Sequence, residues 1–211
     1  MLFSDLGSGT AVYDPNVTWD VDGFGHGPDF PSISVAEEFI ISSSGIFSVS
    51  QIDLAVTSTG LADTFYGSIW TESGGAPTTQ VDNAYWSVDA VSGPCCNLVS
   101  ISGVTNVALN GNEAYFLVLG PLASNTRVEF HLNNQNVFAD EMYSTNGGTT
   151  WNDNGPQLPG AFDILGSTAS TTVPEPTQLC FILLGLGVIR IAEVLRRGPK
   201  EVGINETTFD G

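Results

Sequence analysis

The chain of 211 residues carries 23 acidic side chains against 5 basic ones, for a net charge of −18. Arg127 is the only base before Arg190, and 18 acids fall in residues 1–172, so that segment carries −17. A surface of this sign repels phosphate backbones and argues against nucleic acid as a partner. With 42% hydrophobic residues the chain can bury one sizeable core and still carry an appended segment. Its 24 glycines and low 13% charged content suit short strands joined by many turns.

In chain order, Met1-Leu2-Phe3-Ser4-Asp5 lacks the basic start and the apolar core, about 7–15 residues long, of a secretory leader. The sequence read alone therefore begins where a mature domain would. Strands are expected at Ala11–Tyr13, Val17–Val21, Val35–Ile41, Tyr66–Thr71, Tyr85–Val88, Leu98–Ile101, Phe138–Tyr143 and Ala161–Leu165. Ile52, Leu54 and Val56 alternate with Asp53, Ala55 and Thr57, as do Val128, Phe130 and Leu132 with Arg127, Glu129 and His131, so each run buries one face. Tyr115-Phe116-Leu117-Val118-Leu119 is continuously apolar and reads as a central strand covered on both faces. Gly74-Gly75-Ala76-Pro77, Asn110-Gly111-Asn112, Asn146-Gly147-Gly148 and Asn154-Gly155-Pro156 are turn signals. The pattern predicts an all-β, jelly-roll-like β-sandwich.

Several residues in this region could carry chemistry. Asp20, Asp22 and Asp29 surround Gly23, Gly25 and Gly27, and carboxylates on a glycine-rich loop could hold a structural Ca²⁺ through oxygen. No other cofactor is implied. His26 and His131 have no ligand-spaced partner and read as surface residues. Cys95, Cys96 and Cys180 have no zinc spacing, and the first two read as loop thiols. Ser144-Thr145-Asn146-Gly147-Gly148-Thr149-Thr150-Trp151 resembles the Asp-box hairpin of sialidases. Its single copy reads as a structural turn, in which Asn146 caps, Gly148 takes a positive φ and Trp151 packs beneath. A glycosidase needs two carboxylates facing one bond. Glu37-Glu38 and Asp140-Glu141 are adjacent pairs whose members point to opposite faces, so neither pair converges by itself. No nucleophile elbow or phosphate loop is present, and the chain reads as a non-enzyme. Trp19, Trp70, Trp86, Trp151, Tyr66, Tyr85, Tyr115 and Tyr143 are either core or a sugar-stacking platform.

The sequence changes character after residue 166. Residues 167–176 form a small-polar linker ending in Val173-Pro174-Glu175-Pro176, whose prolines impose extended geometry. Residues 177–197 read as an apolar helix with a basic stop at Arg196-Arg197, and residues 198–211 as a disordered tail. As a helix, 179–195 spans roughly 25 Å, short of the roughly 30 Å hydrocarbon core. Arg190 interrupts it, with Glu193 placed to pair on the next turn. The arginine pair sits where cytoplasmic charge belongs, so the β domain would face outward.

Val173–Pro176, the apolar helix and Arg196-Arg197 together resemble the PEP-CTERM sorting signal of Gram-negative bacteria. The resemblance implies insertion in the inner membrane, processing by an exosortase near the Pro-Glu-Pro motif, and delivery to the cell surface or exopolysaccharide matrix. The β region resembles the choice-of-anchor R domains over Phe3–Gly7, Trp19–Val21, Ala36–Phe39, Ile52–Val56, Trp70–Pro77, Tyr143–Trp151 and Gly160–Asp163. That resemblance implies a surface β-sandwich and no activity. The expectation is a β-sandwich over 1–166 with a C-terminal transmembrane sorting helix, acting as a non-catalytic surface or matrix protein. The alternatives are a carbohydrate-binding module, marked by exposed aromatics, and a glycan hydrolase or lyase, marked by two carboxylates in a cleft.

Overall fold

The computed structural model describes residues 1–9, 12–23, 31–59, 63–92 and 98–169. Asp29, His26, both loop cysteines and everything from the linker's Ser170 through the sorting motif and helix lie outside the described residues. Among the described residues no helix is long and apolar enough to cross a membrane.

Met1–Ala169 forms one all-β unit of antiparallel sheets. One layer is a six-stranded sheet in the order β13-β12-β3-β10-β6-β7, from Asn152–Gln157, Ala139–Ser144, Ser34–Ile40, Ala114–Pro121, Thr64–Ser73 and Ala76–Asp89. Against it lie β1-β14-β4-β8, from Phe3–Ser4, Phe162–Thr168, Ile46–Leu54 and Val99–Ser102, with β9 (Ala108–Asn110) also on β4. A third sheet, β2-β11-β5, comes from Thr18–Asp22, Arg127–His131 and Val56–Ser58. Side chains from all three sheets meet in one core, including Val35, Phe39, Ile52, Leu54, Val56, Ile69, Leu117, Val128, Phe130 and Phe162.

The continuous apolar run becomes β10, in the middle of the six-stranded sheet, and Tyr115–Leu119 are all buried. Leu117 and Leu119 face the main core, whereas Phe116 and Val118 face outward. That outer face is roofed by Tyr66, Trp70 and Trp151 together with Met142 and Ala36. Tyr66 lies flat on Gly120, where an added Cβ would sit 2.3 Å from its ring. A strand buried on both faces needs apolar residues at every position, which the sequence supplies.

The alternation at Ile52–Thr57 is not one strand. It breaks at Ala55, and the chain passes from β4 in one sheet to β5 in another. The Ala55 N–H donates to Ala161 and its carbonyl accepts from the His131 N–H, while the Ala161 N–H donates to the His131 carbonyl. This seam joins the two smaller sheets, and it buries Thr57 and His131 on a parity that the sequence assigns to solvent. His131 is 4% exposed, stacks on Tyr13 at 4.9 Å, and lies 2.8 Å from the Thr57 hydroxyl. It is a core histidine, not a surface one, and burial holds its imidazole below the ordinary 6.5. Val12 and Tyr13 form a bend, not a strand. Asn154-Gly155-Pro156 is not a turn between strands. It lies within edge strand β13, where Gly155 takes φ 71° opposite a bulge between Asp140 and Met142. An edge strand tolerates that proline because its outer side has no ladder to donate to.

The Gly74-Gly75 signal closes the β6–β7 hairpin with φ of 68° and 80°, as a tight primed turn requires. Phe162 is fully buried and touches Phe3, Phe39 and Phe130, with ring centroids at 4.9, 5.9 and 6.4 Å. Phe162→Ala is expected to destabilise the domain by about 3–5 kcal/mol in urea unfolding. A loss under about 1 kcal/mol would show that the core does not converge on this ring.

Candidate site: an acid and aromatic cleft between β2 and β12

Two acids sit on the core-facing parity of the six-stranded sheet. On β3, Val35, Glu37 and Phe39 alternate inward, and Glu141 of β12 pairs directly opposite Glu37, with Tyr143 opposite Val35. Directly opposed residues share a face, with Cβ atoms about 4.5–5.5 Å apart. Within Glu37-Glu38 and Asp140-Glu141 the neighbours do diverge, but one member of each pair meets the other across strands. Local spacing cannot reveal a register between segments a hundred residues apart. The available signal was an acid standing where Val35 and Phe39 mark the buried parity.

Both acids are 0% exposed. Glu37 Oε1 accepts the Gly160 N–H at 3.0 Å, which ties the six-stranded sheet to the seam of the opposite layer. An Ala at 160 would place its Cβ 2.4 Å from the Phe130 ring, so only glycine brings its N–H this close. Glu141 Oε2 accepts from the Asn154 amide. Glu37 Oε2 and Glu141 Oε1 are buried with no hydrogen-bond partner among the described residues. Burial pushes both carboxyls above the usual range, Glu37 well above it with Glu141 and Asp5 adding like charge.

Asp5, a third buried acid, is 2% exposed, and its Oδ1 accepts the Phe162 N–H at 2.7 Å. Burial raises it from 3.8 to about 8, against that hydrogen bond and with help from Asp163. A folded-state acid pKa above the unfolded value means that the native state holds its proton longer. The resulting stability is complete below about pH 4, where both states are protonated, and falls as pH rises toward 8. The melting temperature should drop steadily between pH 5 and 8, and Asp5→Asn should flatten that slope. A profile rising over this range would contradict the assignment.

Glu141 also lines a cleft of about 390 Å³ with Thr18, Trp19, Asp20, Ile33, Val35, Tyr143 and Asn154. This volume is at the lower end of the ~300–1,000 Å³ range of small-molecule sites. Thr18–Asp20 come from β2, Val35 from β3, Tyr143 from β12 and Asn154 from β13, so the cleft opens where the β2 sheet meets the six-stranded sheet. Trp19 is fixed by donating its indole N–H to the Leu158 carbonyl at 3.2 Å. The cleft thus combines two partly exposed aromatic rings, two carboxyls, an amide and a hydroxyl.

The structure separates the aromatic candidates. Tyr115 and Trp86 belong to the main core, with Tyr115 stacked on Phe39 at 5.7 Å. Tyr66 and Tyr85 stack at 5.3 Å, and Trp70 meets Trp151 edge-on at 6.5 Å, over the outer face of β10. Trp19 and Tyr143 alone of the eight line the cleft.

The Asp-box-like segment is a closed turn. Ser144 Oγ accepts the Gly148 N–H at 2.8 Å, and Asn146 Oδ1 accepts the Thr150 N–H at 2.9 Å. Gly147 and Gly148 have φ of 68° and 84°, and Trp151 packs against Gly148. Asp20 and Asp22 lie two apart on β2, and Asp22 is 3.9 Å from the Arg127 guanidinium. Among the described residues no group of three or more His, Cys, Asp or Glu side chains is arranged to hold a metal. Comparison with known proteins found no matching family model, curated protein or solved structure.

Proposed function

We propose that the β domain is a non-catalytic saccharide-binding module, jelly-roll-like in topology, of an exported surface or exopolysaccharide-matrix protein. The observation that carries the binding role is the cleft beside Trp19 and Tyr143. Aromatic faces pack against the C–H faces of sugar rings, while carboxyl, amide and hydroxyl groups at the rim bond sugar hydroxyls. The charge of −17 over residues 1–172 disfavours uronic or sulfated polymers.

The export role rests on the tail. Val173–Pro176, the apolar stretch and Arg196-Arg197 resemble a sorting signal that an exosortase processes at the inner membrane. A surface or matrix setting fits a domain that binds glycan. A second reading, glycan hydrolase or lyase, is favoured by one observation: Glu141, whose carboxyl burial raises above its ordinary range, lines the same cleft as Asp20. A proton donor and a carboxylate in one cleft are the parts of glycoside hydrolysis. The binding reading is preferred because Glu37, the carboxyl opposed to Glu141, is sealed in the core with one oxygen committed to Gly160.

Titration against a panel of oligosaccharides, followed by tryptophan fluorescence, should give saturable binding that Trp19→Ala weakens at least about tenfold while the fold persists. Saturable binding unaffected by Trp19→Ala would remove the cleft from the account, and reducing ends released by wild type but not by Glu141→Gln would establish the catalytic reading. For the tail, the form released by an exosortase-bearing host should end near Pro176 by intact mass. A released product retaining 179–195, or processing unchanged in Glu175→Ala, would overturn the sorting role.

A further inference from the structure

We propose that the cleft selects saccharides carrying a free amine, with Glu141 as the counter-ion of the ligand's ammonium. This rests on the saccharide-binding reading and names the ligand class for the same site.

Arg127 is the only Lys or Arg before Arg190, and its guanidinium lies beside Asp22. No cationic side chain therefore reaches Glu141 from the described residues. The charged and titratable groups around it are acids and phenols: Glu37 opposite on β3, Asp153 on β13, Asp20 on β2 and Tyr143 on its own strand. Glu141 is 0% exposed yet lines the cleft, and its Oε1 is buried without a hydrogen-bond partner. A buried polar atom without a partner is costly unless something supplies one.

A neutral hydroxyl could bond that oxygen. An ammonium does more, because it bonds the oxygen and supplies the charge that the surroundings lack. Trp19 and Tyr143 line the cleft, and aromatic faces favour a cation over a neutral group of the same shape. Asp20, exposed at the rim, adds a negative charge that attracts cations from solution.

The proton balance follows. Burial disfavours the charged form of Glu141 and raises its carboxyl above the ordinary range in the free protein. When R–NH₃⁺ binds, the carboxylate is the favoured form and any proton that the carboxyl holds leaves to solvent. The product is a carboxylate–ammonium pair, with at most one proton released from Glu141 for each ligand bound. A neutral saccharide in the same cleft gives no such drive to ionise.

The test is calorimetric titration of the full chain at pH 5.5, where the ligand amines are already ammonium, with β-1,4-linked glucosamine trimer and with its N-acetylated counterpart. Each titration is run in two buffers of different ionisation enthalpy. The amine trimer should bind at least about tenfold tighter and release protons that the N-acetylated trimer does not. Glu141→Gln should abolish both the preference and the proton release. Asp82→Asn, an exposed acid on the far edge strand β7, should change neither. Equal or weaker binding of the amine trimer, or an amine preference that persists in Glu141→Gln, would overturn the amine assignment and leave saccharide binding standing. If neither trimer binds the wild type, both readings fall for this sugar class. A preference lost equally in Asp82→Asn would mean diffuse attraction to the acidic surface and would also overturn it.

Discussion

The structure depends on one electrostatic constraint: the domain buries acids but has almost no cations to pair with them. Arg127 is the only Lys or Arg in residues 1–189, and it lies on β11 beside Asp22, away from the buried carboxyls. Asp5, Glu37 and Glu141 are nonetheless enclosed. An ionised carboxylate buried without a partner is costly, so burial raises the pKa of such groups and they bond backbone or amide donors. Asp5 takes the Phe162 N–H, Glu37 the Gly160 N–H and Glu141 the Asn154 amide.

These bonds position the site. Gly160 adjoins the seam where Ala55, His131 and Ala161 join the two smaller sheets. By reaching Gly160, Glu37 fixes the β3 layer against that seam from across the core. Glu141 is the next residue along the same pleat on β12, and from there it faces the cleft that Trp19 closes on the β2 side. The acid that braces the layers and the acid that faces the cleft are thus cross-strand neighbours. The lack of cations that governs packing at Glu37 holds equally at Glu141.

Much of the fold was legible. The unbroken Tyr115–Leu119 run required a strand buried on both faces, and β10 is that strand. Paired glycines at 74 and 75 marked a hairpin because only glycine takes two successive positive φ values without cost. Alternation failed where tertiary structure intervened. The Ile52–Thr57 pattern runs through Ala55, where the chain changes sheets, and His131 is buried because the seam covers its outer side. The site was legible only in part. Trp19 and Tyr143 were on view as aromatics, but nothing local distinguished them from Trp70 or Tyr66, which roof the far face of the sheet. The Glu37–Glu141 pairing depended on a register set by β3 and β12 together.

The most direct measurement of the central constraint is a carboxyl ¹³C titration of Glu37 and Glu141 in the folded protein. Both carboxyls should titrate above the ordinary glutamate range, Glu37 the more strongly, with Glu141 shifting toward the ionised form when an amine ligand fills the cleft. Two carboxyls that titrate together near pH 4.5 and ignore that ligand would contradict it.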